Sequence, residues 1–223
     1  MCGRYTLYTN ESEEEFQERF DLEESYKLSP RYNVAPTQEM PVVVVDGKRH
    51  VEVMKWGLVP KWHEGGKGNY SMINARAESV DKKPFFRWSL LFHRCIVPAS
   101  GFYEWKRVGE HKIPYYIHLK SGELFGFAGL YDAWRDGTGR EVKTYTIITA
   151  RPNETVRPIH DRMPVILQKE DEDKWLDPDV VELERLMTFL VPYPDTSMEA
   201  YLVSTMVNSP KNDGAGLVKP QSV

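Results

Sequence analysis

Short runs of β-branched and aromatic residues recur along the whole chain, at 4–8, 42–45, 51–56, 96–98, 102–106, 115–119, 125–131, 144–148, 165–167 and 201–204. Runs of this length, bounded by Gly, Pro, Asn, Asp and Ser, read as strands rather than helices. Asp46-Gly47 and Ser121-Gly122 are hairpin-type turns, which predicts antiparallel neighbours on either side of each. Helical patterns are fewer, at 12–20, 85–92, 154–159, 170–176 and 181–190, the first with Ser12 and Glu15 as a capping box. With no repeat and no linker-like segment, the expectation is an α+β fold. Residues 1–223 form a single domain, with a mainly antiparallel barrel-like or sandwich β-sheet and peripheral helices. A domain of this size buries roughly 70% of its unfolded surface and needs no staple.

Composition removes several function classes. Two cysteines, Cys2 and Cys95, give no disulfide framework and point to a reducing compartment. The opening residues lead straight into an acidic stretch, and the longest aliphatic run, 42–45, is far too short to cross a bilayer. A cytoplasmic protein without a membrane partner is expected. The six histidines show no ligand pairing at i and i+4, so neither a metal nor a cofactor is expected. Gly65-Gly66-Lys67-Gly68 lacks the spacing of a phosphate loop and reads as a surface loop.

The net charge of −4 conceals segregation. Residues 11–24 hold eight acids and one base, and 170–184 form a second acidic stretch. Residues 47–76 hold six bases and two acids, interleaved with Trp56, Trp62 and Tyr70. That mixture suits a strand of nucleic acid held by backbone charge and base stacking; it also suits an ordinary solvated surface.

Cys2 is the position with distinctive chemistry. Removal of Met1 leaves an α-amine and a thiol on adjacent carbons, with unperturbed pKa values of about 7.7 to 8.0 and about 8.5. Such a pair condenses with an aldehyde, first as an imine and then as a five-membered thiazolidine. An incidental cysteine is the alternative.

Four segments set polar or titratable side chains in apolar surroundings: Arg31-Tyr32-Asn33-Val34-Ala35-Pro36, Ile73-Asn74-Ala75-Arg76-Ala77-Glu78, Gly101-Phe102-Tyr103-Glu104-Trp105, and Ile159-His160-Asp161-Arg162-Met163-Pro164. On an alternating strand Glu104 shares a face with Phe102 and Lys106, while Tyr103 and Trp105 share the other. Glu104 is then either a desolvated carboxyl suited to proton transfer or a carboxylate paired with a cation at a sheet rim. His160 is a catalytic group or a structural histidine at the end of a helix. Asn33 and Asn74 are site residues or turn and capping residues.

With Met1-Cys2-Gly3-Arg4-Tyr5 and Trp56-Gly57-Leu58-Val59-Pro60, these segments resemble, in order and spacing and over nearly the whole chain, the SRAP family. These SOS response-associated peptidase domains sense abasic sites in single-stranded DNA. Val207-Asn208-Ser209 and Asp213-Gly214-Ala215 resemble the family's C-terminal strand and tail. The resemblance implies that Cys2 forms a thiazolidine with the aldehyde of a ring-opened abasic sugar, shielding the lesion. It implies Glu104 as general acid and base, His160 as a hydrogen-bond partner of the opened sugar, and Asn74 as the residue orienting the amino terminus. It also implies DNA contacts by Arg4, Arg76 and Arg162 on phosphates, Asn33 and Pro36 beside the lesion, and Trp62 as a stacking or wedge residue. The loop 61–70 departs in composition from the family.

The implied partner is single-stranded DNA containing abasic sites, with the protein on the nucleoid when bound and with no obligate protein partner. The implied activity is crosslinking of lyase type, with (auto)peptidase activity beside it. Two other readings stay open: an N-terminal-nucleophile cysteine peptidase that removes its own Met1, and a non-covalent single-stranded DNA binder in which Cys2 is irrelevant.

Overall fold

In the computed structural model, which describes residues 2–9, 13–62 and 71–221, the strands divide between two sheets. An open antiparallel sheet has the order β12 (Met198–Leu202), β8 (His111–Leu119), β7 (Gly101–Val108), β1 (Tyr5–Leu7), β2 (Arg31–Val34). The other sheet runs β10 (Glu141–Ala150), β4 (Lys48–Trp56), β3 (Glu39–Asp46), β6 (Arg94–Ala99), β9 (Phe125–Arg135) and returns to β10. It therefore closes on itself like a barrel and leaves no free edge along that ring. Two short strands, β5 (Asn74–Arg76) and β11 (Met163–Pro164), attach to the end of β10. The fold is α+β, a single domain, and mainly antiparallel; the β10–β4 and β10–β5 pairs are parallel.

The main core fills the space between the sheets. Tyr5, Leu7, Val34, Phe102 and Ile117 enter it from the open sheet, and Val43, Ile96, Phe127, Tyr145 and Ile147 from the ring. Helix α1 (Glu13–Arg19) adds Phe16, and Phe20 follows it; α2 (Pro84–Phe92) adds Phe86 and Leu90. Helices α3 (Glu172–Leu176) and α4 (Leu183–Thr188) add Trp175 and Leu186. The outer face of the open sheet carries a smaller cluster of Tyr103, Tyr116, Val203, Val207 and Leu217, under the segment beyond β12. Both faces of β7 are thus covered, which is why Phe102 and Tyr103 are both buried.

A bend at Ser100 carries the chain from β6 of the ring into β7 of the open sheet. Its hydroxyl bonds Thr6 Oγ1 at 2.8 Å and accepts from the Tyr8 N–H at 3.2 Å. Next to it, a Cβ on Gly101 would sit 2.3 Å from the Tyr116 hydroxyl oxygen, so only glycine fits there.

Several expectations are corrected. Asp46-Gly47 closes the β3–β4 hairpin, with Gly47 at φ +71. Ser121-Gly122 closes no hairpin, because both edges of β8 are taken by β7 and β12, and the turn passes the chain to the other sheet. Residues 154–159 form successive turns instead of a helix. Pro158 disfavours a helical Arg157, and the bonds present close single turns: Arg157 N–H to Asn153 O and Ile159 N–H to Val156 O. The expected strand at 165–167 reduces to β11 and a single Ile166–Phe127 bridge. The expected C-terminal strand at 207–209 falls in a 3₁₀ turn, Thr205–Asn208, because the Val207 carbonyl accepts from side chains rather than from a ladder. Strands β2 and β5 were not expected. The Ser12 cap and the Gly65–Gly68 loop lie outside the described residues.

Candidate active site at the amino terminus

Strand β1 pairs antiparallel with β7 in the register Tyr5 opposite Phe102, and the Tyr103 N–H donates to the Arg4 carbonyl at 3.0 Å. Continued toward the amino terminus, that register carries Cys2 and Gly3 alongside Glu104 and Trp105. Cys2 is fully buried. Burial pushes its thiol pKa up, the Glu104 charge adds to this, and the positive amino terminus and the Arg4 backbone N–H oppose it.

Glu104 lies on the Phe102 face of β7, 3% exposed. Burial pushes its carboxyl up from 4.5 to about 7, against the lowering effects of the positive amino terminus and the Trp105 backbone N–H. His160 Nε2 stands 3.8 Å from Glu104 Oε2. Burial, then the charge of the amino terminus, holds the imidazole below its usual range. Histidine and glutamate are thus both pushed toward their neutral forms, and the contact is better described as an acid–base pair than as a fixed ion pair. His160 Nδ1 accepts the Arg162 backbone N–H at 3.0 Å, which assigns the ring hydrogen to Nε2, facing Glu104. The exposed Asp161 carboxylate, 3.0 Å from Nδ1, favours the protonated ring. Glu104 and His160 line a depression of about 740 Å³ together with Trp105, Arg107, Lys112 and Asn208.

The end of β10 organises the remaining residues. Asn74 pairs with Ile147, and its Nδ2 donates to the Ile147 carbonyl at 3.4 Å. Its Oδ1 is a buried acceptor with no hydrogen-bond partner among the described residues. Arg76 lies opposite Thr149 and is exposed. Arg162 Nη2 bonds the carbonyl and hydroxyl of Thr149, while Nη1 donates to Glu78 Oε1 at 2.6 Å. The Arg162 bridge holds Glu78 below the usual carboxylate range.

Arg4 and Asn33 face a different duty. Arg4 Nη1 donates to Asn33 Oδ1 at 2.7 Å and to the Val207 carbonyl at 2.6 Å, with the guanidinium over the Trp105 ring at 5.8 Å. The Asn33 side chain is fully buried and donates to the carbonyls of Val207, Ser209 and Asn212. Both side chains tie the C-terminal segment to β1 and β2. Pro36 is half-buried in the turn after β2. Trp62 is 64% exposed, edge-on to Phe85 at 5.8 Å.

Cys2, Glu104 and His160 therefore converge, while Asn74, Arg76 and Arg162 gather at the end of β10. Trp62 stands on a separate segment anchored by the Lys61 N–H on Asp132 Oδ2 at 2.8 Å. Sequence reasoning did not single out Trp105 as a wall of the depression, although the aromatic flanks of Glu104 were visible. Nor did it reach Thr149 or Asp132, whose roles arise from strand pairing; Asn208, expected in a C-terminal strand, reaches the depression from a 3₁₀ turn and accepts the Trp105 Nε1–H at 2.7 Å. No group of three or more His, Cys, Asp or Glu residues is arranged for a metal among the described residues, and no helix among them is long and apolar enough to cross a membrane.

The family model described as SOS response associated peptidase (SRAP) matches residues 1–210. The chain belongs to the SRAP family. It is 45% identical over 227 residues to the abasic site processing protein YoaM of Bacillus subtilis, covering 100% of this chain and 99% of that one. It is 46% identical over 224 residues to the abasic site processing protein YoqW of the same organism, covering 98% and 99%. Among solved structures, a crystal structure of a protein from Bacteroides thetaiotaomicron superposes with a TM-score of 0.88 at 30% identity, covering 99% of this chain and 100% of that one.

Proposed function

We propose that this SRAP protein processes abasic sites in single-stranded DNA by forming a thiazolidine between Cys2, exposed as the amino terminus by removal of Met1, and the aldehyde of the ring-opened sugar. The observation that supports the reading is a Glu104 carboxyl raised to about 7 that lines one depression with His160 and has the buried Cys2 thiol beside it.

The protons balance through a single carboxyl. The neutral α-amine adds to the aldehyde carbon to give a carbinolamine. Protonated Glu104 gives its proton to the carbinolamine hydroxyl, water leaves, and an iminium forms. The Glu104 carboxylate then takes the proton of the Cys2 thiol, and the thiolate closes on the iminium carbon. One water is lost and Glu104 is restored. A thiol whose pKa is pushed up needs this base close by. A carboxyl near 7 is divided between acid and base at neutral pH, which suits both steps. His160 Nε2–H donates to the opened sugar hydroxyl and keeps the aldehyde form. Asn74 Oδ1, a buried acceptor, orients the amine without altering its charge. Arg76, exposed at the end of β10, holds a phosphate, where a planar fork is the suited donor; Arg162 reaches one only by releasing Glu78, and an abasic nucleotide reaches the site without a base to unstack.

The test is the intact mass of the protein before and after incubation with single-stranded DNA bearing one abasic site. The expected result is a starting mass lacking Met1 and an adduct equal to protein plus DNA minus one water, with no adduct from Cys2→Ala. Absence of adduct from protein with a verified Cys2 terminus overturns the proposal. Turnover of a peptide by that same protein, without adduct, would instead support the N-terminal-nucleophile peptidase.

A further inference from the structure

Beside the depression that holds Glu104 and His160 lies a second one of about 630 Å³. The two share Arg107, Ile159, His160 and Asp161, so they are lobes of one groove that begins at the reactive carboxyl. Cations enter it from three separate pieces of the chain. Strand β7 supplies Lys106 and Arg107, β8 supplies Lys112, and the turns after β10 supply Arg151 and Arg157. Besides Glu104 at its head, the carboxylate lining the groove is Asp161. Glu154, outside the lining, bonds Arg157 at 2.9 Å on the exposed rim. Such a concentration of positive charge stands out on a chain whose net charge is −4.

A second observation is independent of the count. Arg107 and Lys112 are direct partners in the β7–β8 ladder. Like charges directly opposite on an antiparallel pair destabilise it. The strain is relieved when one anion is shared between them. Polyanion binding gains from the same arrangement, because each phosphate neutralised releases condensed counterions.

From this groove we infer that the phosphodiester backbone on one flank of the lesion runs along it. Arg107 and Lys112 share the phosphate nearest the reactive sugar, and Arg151 and Arg157 take those farther along. These cations are distinct from Arg4, Arg76 and Arg162. The inference rests on the proposed DNA reading and assigns the strand a direction away from the site.

The experiment compares processed wild-type protein with Arg107→Ala/Lys112→Ala and Arg151→Ala/Arg157→Ala variants, using Arg140→Ala on the exposed β9–β10 turn as a charge control. Each lost phosphate contact should lower the slope of log affinity against log salt by about 0.7, and each double variant should need roughly tenfold more DNA for half-saturation at low salt. Strands that end at the abasic nucleotide itself, with no terminal phosphate, on the 5′ or on the 3′ side locate the flank. On one trimmed strand, wild type and variants should become equal, while on the other the difference should persist. Unchanged slopes, losses equal on both trimmed strands, or equal losses in Arg140→Ala overturn the assignment. So does poly-glutamate competing as well as DNA of the same charge, which would make this an acidic-peptide site. The outcomes separate from the parent reading, since a wild-type adduct with unaffected variants sinks only the groove.

Discussion

Glu104 and Glu172 are the same residue at nearly the same depth, 3% and 2% exposed, and the fold treats them in opposite ways. Glu172, at the start of α3, receives both ends of the Arg19 guanidinium at 2.9 and 2.8 Å. Arg19 is itself fixed by Nε on the Leu124 carbonyl at 2.8 Å and by the Phe20 ring beneath it at 4.6 Å. The planar fork meets both carboxylate oxygens at once, so this clamp is fixed in geometry. Glu104 stands instead beside His160, a group that titrates, and burial brings its own carboxyl to about 7. One buried carboxylate joins α1 to α3; the other is left able to exchange a proton.

The comparison breaks most readily by making one substitution at both places. Glu104→Gln keeps shape and removes proton exchange, so single-turnover adduct formation should fall by about 10² to 10⁴, with DNA affinity within twofold. Glu172→Gln, assayed where it is folded, should leave that rate unchanged. Similar losses at both sites would erase the distinction.

Stability should respond the other way round. Arg19→Ala strands a buried carboxylate and should cost about 3 to 5 kcal/mol in urea unfolding. Glu104→Gln should cost nothing of the kind.

The third test uses pH. The folded carboxyl of Glu104 is raised from 4.5 to about 7, so the folded protein keeps a proton that the unfolded chain releases. The resulting stability is fully present below 4.5 and is lost as pH rises through about 7, a swing on the order of 3 kcal/mol. Urea midpoints of wild type and Glu104→Gln measured at pH 5 and pH 8 should diverge at the higher pH, with the variant the more stable. Parallel pH profiles would show that Glu104 keeps its ordinary titration. The smallest effect belongs to His160→Ala, where a roughly tenfold change in adduct formation or release is expected for loss of one hydrogen bond; identical rates in both directions would return His160 to a structural part.

Of this contrast only the Glu104 side was legible in the amino-acid sequence, and the Arg19–Glu172 clamp and parts of the fold were hidden for identifiable reasons. Asp46-Gly47 carries its turn conformation locally, so the β3–β4 hairpin could be read directly. The aromatics around Glu104 offered a desolvated carboxyl as one of two readings, beside a carboxylate paired with a cation at a sheet rim. Ser121-Gly122 carries an equally good turn signal, but the pairing of the chain beyond it depends on which strand edges are already taken. Residues 31–34 and 74–76 are strands because β1 and β10 offer them an edge, and their polar composition gives no sign of that. The residues at 154–159 suggest a helix where Pro158 disfavours one and single turns form. Arg107 and Arg157 lie fifty positions apart, and only the packing of the turns against β7 brings them to one groove.

The bonds from Arg4 and Asn33 to the carbonyls of Val207, Ser209 and Asn212 also bear on timing. A ribosome adding about 5 to 20 residues per second delivers Val207 roughly 10 to 40 s after Arg4. Cys2 therefore leaves the ribosome well before the segment that tethers its strand. On the proposed reaction, a processed amino terminus would through that interval carry its amine and thiol without the surroundings that direct them to one carbonyl. On that reading, nascent chains stalled before residue 205 should react with small aldehydes in solution no faster than a free cysteine peptide.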